Sequence, residues 1–302
     1  MNWLLTELRA LGVAVAFLTR LPVPDSIHQL VPGDLQRATS WFPLVGALVG
    51  LITAALAVFL DTHLPFGVAL LIALLVEARL TGAFHEDAVA DAFDAFGGGF
   101  SRDRVLEILK DSRIGSYGAL ALFGAFLLRY EATKELPSGI FYAAVVAAAS
   151  MGRLAGMLLL AALPTIPERA SLGRDLESLP SARVVGALVT ALPAFLWLVW
   201  LDRGAAMLAA LPTIPERASL GRDLESLPSA RVVGALVTAL PAFLWLAWLD
   251  RGAAMLAALL CALAVLVGAR YVGRRIGGST GDALGTLTYA VQLTTLIAVL
   301  WR

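Results

Sequence analysis

Between His85 and Gly99 the chain reads His-Glu-Asp-Ala-Val-Ala-Asp-Ala-Phe-Asp-Ala-Phe-Gly-Gly-Gly. On a helix, Asp87, Asp91 and Asp94 stand at i, i+4 and i+7, within about 60° of one another on one face. Three carboxylates that close repel and are costly to desolvate near a membrane, so a hard cation is their natural counter-charge. Oxygen ligands suit Mg²⁺ far better than zinc. Asp87, Asp91 and Asp94 are therefore the expected metal ligands. The plainer alternative is a solvated helix end, but the small neighbours Ala88, Ala90, Ala92 and Ala95 favour a helix packed tightly against others. Glu86 or one of the aspartates is a candidate general base. His85 is a further catalytic candidate, although two positions before Asp87 puts it near the opposite face.

Gly97, Gly98 and Gly99 must end this helix, and Ser101 is placed to cap the next one, with Asp103 in its first turn. That second helix and the turn after it carry Arg102, Arg104, Lys110, Asp111 and Arg113, so one stretch offers acids for a metal and bases for phosphate oxygens. Anchoring at the membrane surface is an equal explanation for Arg102 and Arg104. A second polar stretch, Gly277-Gly278-Ser279-Thr280-Gly281-Asp282, is a glycine-rich turn running into a helix, a ready anion site through free N–H groups and the helix dipole. Gly278, Thr280, Gly281 and Asp282 are its candidate binding residues, against the alternative of a plain interhelical turn capped by Asp282. Arg153 lies inside an apolar helix and is a site candidate as an intramembrane charge.

The elements that must position these groups are membrane helices. Hydrophobic residues make up 59% of the 302, charged residues 15%, and mean hydropathy is +0.81, whereas about 25% charged is usual in soluble domains. Apolar segments fall at about 3–18, 41–60, 64–76, 117–128, 141–163, 184–201, 232–249, 253–267 and 283–301. Several approach the ~20 residues that span a bilayer as helix, and none alternates like a barrel strand. The expected fold is an all-α polytopic bundle of about seven to nine membrane helices forming a single domain. Zero net charge suggests no nucleic-acid partner. Cys261, the one cysteine, lies in an apolar helix and reads as packing. The first segment, interrupted by Glu7 and Arg9, reads as retained rather than as a cleaved signal peptide.

Residues 163–210 recur as 211–258 with a single change, Val199 against Ala247. Near-identity over 48 residues reads as a recent tandem duplication or an error of assembly, not as a solenoid, whose repeats drift at surface positions. Without the extra unit four crossings separate the two polar stretches and place them on one face; with it, five place them on opposite faces. The distribution of positive charge favours four, since it gathers Arg102, Arg104, Lys110, Arg113, Arg169, Arg174, Arg183, Arg270, Arg274 and Arg275 on one side and leaves few, such as Lys134 and Arg203, on the other.

Four segments resemble the adenosylcobinamide-GDP ribazoletransferase (cobalamin-5′-phosphate synthase) family: Phe17-Leu18-Thr19-Arg20-Leu21-Pro22-Val23-Pro24, Trp41-Phe42-Pro43-Leu44-Val45-Gly46, the run from Thr81 to Gly115, and Gly277 to Gly285. They occur in the family's order, and removing one repeat leaves 254 residues, a usual family length. Departures are Asp87-Ala88 and Asp94-Ala95, where the family often has Asp-Gly, and the repeat itself. The resemblance implies an Mg²⁺-dependent membrane transferase of the last assembly stage of cobalamin biosynthesis. In it the ribose 5′-hydroxyl of α-ribazole, or the corresponding position of its phosphate-bearing form, attacks adenosylcobinamide-GDP and expels GMP. Lys110, Asp111, Arg113, Arg153 and Arg20 would then serve the phosphates and substrate. The expected setting is the bacterial inner membrane, multi-pass, with the site facing the cytoplasm; homo-oligomerisation is left open. A CDP-alcohol-phosphotransferase-like enzyme is the nearest rival, although its acid spacing is usually longer. A cation-coupled transporter is another, but it would want the acids centred in a span instead of beside three glycines and a charged loop.

Overall fold

The computed structural model describes residues 3–30, 33–164, 166 and 229–301, and these form helices α1 (Trp3–Leu18), α2 (Asp25–His28), α3 (Asp34–Ala38), α4 (Phe42–Asp61), α5 (Phe66–Thr81), α6 (Phe84–Gly98), α7 (Arg102–Ile108), α8 (Ser116–Lys134), α9 (Phe141–Ala162), α10 (Ser229–Leu249), α11 (Arg251–Ile276) and α12 (Gly281–Leu300). The expected all-α membrane bundle is what is found. The first repeat unit, apart from its first residues, and all of 211–228 lie outside the described residues. With them go the predicted span 184–201 and the arginines at 169, 174, 183 and 203.

Small residues decide the packing. Helix α9 is buried along its whole length except at Tyr142 and Ala162, and α4, α10, α11 and α12 pack around it. Gly46 and Gly50, one turn apart on α4, face Ala149: a Cβ at Gly46 would stand 2.6 Å from the Ala149 carbonyl oxygen, and one at Gly50 2.9 Å from the Ala149 methyl. On α9's other side Gly152 admits the Thr288 carbonyl of α12 to 2.5 Å from where its own Cβ would be. Lipid supplies no hydrophobic force between helices, so such close approach, with the van der Waals contact it permits, holds them together.

Five helical segments among the described residues are long and apolar enough to cross a membrane: 34–61, 138–162, 232–249, 251–276 and 281–300. Helices α5 and α6 pass only as a pair, bent by 84°, which would bring the number to six. The bend is made by Gly82 and Ala83, both left-handed at φ 70° and 55°. Left-handed backbone costs an alanine about 1–2 kcal/mol. Gly82 is also pressed against the Arg20 guanidinium, which leaves no room for a Cβ. The seven to nine helices expected from sequence counted 64–76 and 117–128 as full spans. Here α5 stops at the bend, and α8 carries Arg129, Glu131 and Lys134 in its second half.

Helix α8 nevertheless runs the length of the bundle, about 28 Å for its span of residues. It starts at Gly115 beside Asp94 of α6 and ends with Tyr130 against Gly67 at the start of α5. Helix α9 returns, and its exit pairs with the turn before α12: Ser279 N–H donates to the Pro164 carbonyl at 2.7 Å and Ile166 N–H to the Ser279 carbonyl at 2.9 Å. Helix α10 begins again at that same end, where Gly234 touches Ser40 and Thr238 donates to the Ser40 carbonyl at 2.6 Å. The chain thus re-enters the described structure at the end where it left. Both polar stretches consequently share one end of the bundle, the arrangement favoured by the charge distribution. Cys261 is buried and should be silent to thiol reagents, which permits a direct check. In sealed vesicles Lys110→Cys and Arg274→Cys should react with a membrane-impermeant maleimide from one side and Gly139→Cys from the other; labelling of the first two from opposite sides would refute the shared end.

Candidate functional site

Helix α6 is two-faced. Asp87 is exposed and Asp91 and Asp94 are half-exposed, while His85, Glu86, Ala88, Ala92 and Ala95 are buried. Ionised carboxylates are not left facing hydrocarbon, so the acidic face meets water at the end of the bundle, outside the spanning segments. Partial burial, then the neighbouring charges of Asp87 and Asp94, push the Asp91 carboxyl up to about 6. The three acids do share a face, as their spacing predicts.

They do not all serve as free ligands. Asp94 is turned toward the start of α8, where its oxygens accept from Gly115 N–H at 2.6 Å and Gly118 N–H at 2.8 Å. Among the described residues no three His, Cys, Asp or Glu side chains are gathered closely enough to form a metal cage. Asp87 and Asp91, one turn apart, remain as hard oxygen donors. That set fits Mg²⁺, which keeps several waters and is commonly held by one or two carboxylates plus substrate phosphates.

The inward face of α6 enters a buried charge network. Glu77 of α5 accepts from Arg129 of α8 through both oxygens at 2.7 Å and from Thr53 of α4 at 2.8 Å. Glu86 lies 3.6 Å from the same arginine. Arg153 of α9 donates to the Gln292 side chain at 3.3 Å and to the Ala149 carbonyl at 3.2 Å. These contacts set three of the candidate residues behind the acidic face. Glu86 is buried beside Arg129, away from the exposed acids. His85 lines a cavity of about 100 Å³ with Arg153, Phe17, Phe42 and Phe84, on the far side of α6 from Asp87. Arg153 likewise stands behind the acidic face instead of at the phosphate groups. Sequence reasoning missed Glu77 and Arg129, which stand immediately after the apolar segments 64–76 and 117–128, whereas Arg153 lies inside one.

The basic loop is where the sequence places it. Ser101 accepts from Arg104 N–H at 3.3 Å as the cap of α7. Lys110 and Arg113 are exposed, and the Arg113 side chain forks onto Asp111 at 2.6 and 2.9 Å. Those bonds from the Arg113 side chain, then its backbone N–H, hold the Asp111 carboxyl down to about 2. An exposed pair of this kind contributes little net stability, so an incoming phosphate can take the guanidinium over. Arg20 is exposed against Gly82 and lines a polar pocket with Thr19, Thr81 and Phe84.

The glycine-rich turn is a fastening more than an open anion site. Gly278, Ser279 and Thr280 are buried. Gly278 lies against the Pro164 carbonyl, and the Thr280 hydroxyl already accepts from Ala283 N–H at 3.2 Å. Gly277 and Gly281 are exposed, with Asp282 half-exposed. This end is latched to α6 and α7. Arg275 donates to the Gly99 carbonyl at 2.5 Å, Arg102 to the Ile276 carbonyl at 2.8 Å, and Thr286 to the Ala88 carbonyl at 2.8 Å. Arg102, for which phosphate binding and surface anchoring were equal readings, is a latch.

Fold and site together define a multi-pass membrane protein that presents an acidic helix and a basic loop at one end of its bundle. The sequence profile of a family described as cobalamin-5-phosphate synthase matches residues 10–215 and 194–300, two stretches that overlap inside the repeated region. The chain belongs to that family. A protein of Azorhizobium caulinodans named adenosylcobinamide-GDP ribazoletransferase is 45% identical over 198 residues, 62% of this chain and 74% of its own. Proteins of the same name from Shewanella amazonensis and Shewanella baltica are 48% and 49% identical, over 43% and 41% of this chain and 50% and 47% of theirs. The chain thus spans about three quarters of the first relative and about half of the others. No solved structure matches it.

Arg129 supports two buried carboxylates, so Arg129→Met should destabilise the protein by about 3–5 kcal/mol, read as a lowered unfolding temperature in detergent. A melting point unchanged from wild type would show that the network carries no such strain.

Proposed function

We propose that this chain is an adenosylcobinamide-GDP ribazoletransferase, joining adenosylcobinamide-GDP to α-ribazole or its 5′-phosphate with release of GMP. Family membership supports the reading. The observation that carries it structurally is the latching of both polar segments, by Arg275, Arg102 and Thr286, at one end of the bundle. The exposed arginines and lysine of that end support a cytoplasmic setting by the positive-inside rule, in a bacterial inner membrane.

Displacement at phosphorus through a loose transition state needs positioning and charge neutralisation more than covalent chemistry. Lys110 and Arg113 would take the diphosphate oxygens, Arg113 exchanging Asp111 for phosphate. Asp87 and Asp91 would hold Mg²⁺, which when bound supplies neutralising charge to the diphosphate. An acceptor already phosphorylated at the 5′ oxygen cannot attack through it. One mechanism for both acceptors therefore needs a ring hydroxyl of the ribose, which replaces the 5′-hydroxyl expected above. That hydroxyl forms the new bond to the cobinamide-bearing phosphorus, the bond to the GMP oxygen breaks, and the proton passes to a carboxylate oxygen of the Asp87 and Asp91 pair.

Purified protein supplied with adenosylcobinamide-GDP, α-ribazole and Mg²⁺ should release GMP and form a cobalamin. Asp91→Asn should lower turnover by about 10²-fold or more in a protein that still elutes as folded. Omitting Mg²⁺ should do the same. A chain with one repeat deleted that releases no GMP would sink the assignment, and full turnover by Asp91→Asn would count against the carboxylate pair.

A further inference from the structure

The first turn of a helix leaves backbone N–H groups without intrahelical partners, and in α8 no local side chain caps them. Asp94 does so from another helix, taking Gly115 N–H and Gly118 N–H on its two oxygens. A carboxylate there also complements the positive end of the α8 dipole. The sequence of the first turn is built around this contact. A side chain at Gly118 would run into the Asp94 carboxylate, and one at Gly115 would stand 2.5 Å from it. The loop between α7 and α8 that carries Lys110 and Arg113 ends at Gly115, so its far end is pinned where Asp94 pins it.

We propose that Asp94 is a positioning residue: it clamps the start of α8 to α6 and so fixes Lys110 and Arg113 relative to Asp87 and Asp91. It acts on the reaction through the loop instead of as a third metal ligand. This rests on the proposed diphosphate site, but the clamp can be read without turnover.

The test uses the full chain in detergent with Asp94→Asn, Gly118→Ala and, as contrast, Asp91→Asn. Backbone hydrogen exchange is followed at residues 115–118, Mn²⁺ affinity is measured from the free-ion spin-resonance signal, and KM is measured for adenosylcobinamide-GDP. Asp94→Asn and Gly118→Ala should both speed exchange at 115–118 and raise KM, each by about tenfold, as expected for loss of a charge-assisted hydrogen bond. Their Mn²⁺ affinity should stay at the wild-type value, whereas Asp91→Asn should lose Mn²⁺ and keep slow exchange. The proposal is overturned if Asp94→Asn loses Mn²⁺ as Asp91→Asn does while exchange at 115–118 is unchanged. Should Asp94→Asn fail to fold, Gly118→Ala, which keeps the carboxylate, decides alone, and wild-type exchange and KM in it refute the clamp. A wild-type protein that releases no GMP would count against the functional reading, with exchange and Mn²⁺ affinity still deciding the clamp.

Discussion

Everything at the polar end of this bundle depends on how closely α4 and α12 approach α9. Without Gly46 and Gly50 on one side and Gly152 on the other, the three helices would stand further apart by roughly a methyl group at each contact. In lipid nothing else draws them together with comparable selectivity, because apolar side chains gain nothing by leaving one apolar medium for another. The closeness of α12 to α9 brings Thr286 within reach of the Ala88 carbonyl and lets Gly285 abut Ala88. The position of the acidic helix is therefore a consequence of small residues well away from its carboxylates.

Behind α6 the same packing encloses Glu77, Glu86, Arg129 and Arg153, two acids and two bases that balance in charge. A buried pair is weak evidence for stability, since desolvation offsets much of its attraction. Its geometric effect is clearer. Arg129 ties α8 to α5 through Glu77 and leans toward α6 through Glu86. Helix α8 is thus held to α6 at its start by Asp94 and further along by Glu86. Two attachments along one helix fix both its tilt and its height, and Lys110 and Arg113 sit just before the upper one.

How much of this was legible in the sequence follows from which forces act locally. The i, i+4, i+7 register of the aspartates, the glycine stop of α6 and the Ser101 cap depend on residues a few positions apart, and each is found as read. The roles of His85 and Glu86 depend on what packs against the inward face of α6, namely Arg129 and Arg153 from distant segments, and periodicity alone says only that they point away from Asp87. The glycine-rich turn was read as an open anion site because free N–H groups are the default of a helix start. Here Pro164 and Ile166 pair with the Ser279 backbone and the Thr280 hydroxyl accepts Ala283 N–H, and no local rule brings Pro164 to Ser279. Asp94 is the subtlest case, because its type and spacing are those of its two neighbours and only the approach of α8 distinguishes it.

The tandem repeat bears on the same geometry. A site assembled from segments on both sides of the repeat tolerates additional chain between them only if the intervening path begins and ends at the same level. Pro164 and Ile166 are fastened to Ser279, and Gly234 is fastened to Ser40; both anchors lie at the end that holds Asp87 and Asp91. Helices α10 and α11 then supply one outward and one returning passage, so α12 starts where α6 ends. Counting segments gave five passages and two separated half-sites; backbone pairing at Ser279 and close contact at Ser40 instead bring the described chain on either side of the repeat to the same end.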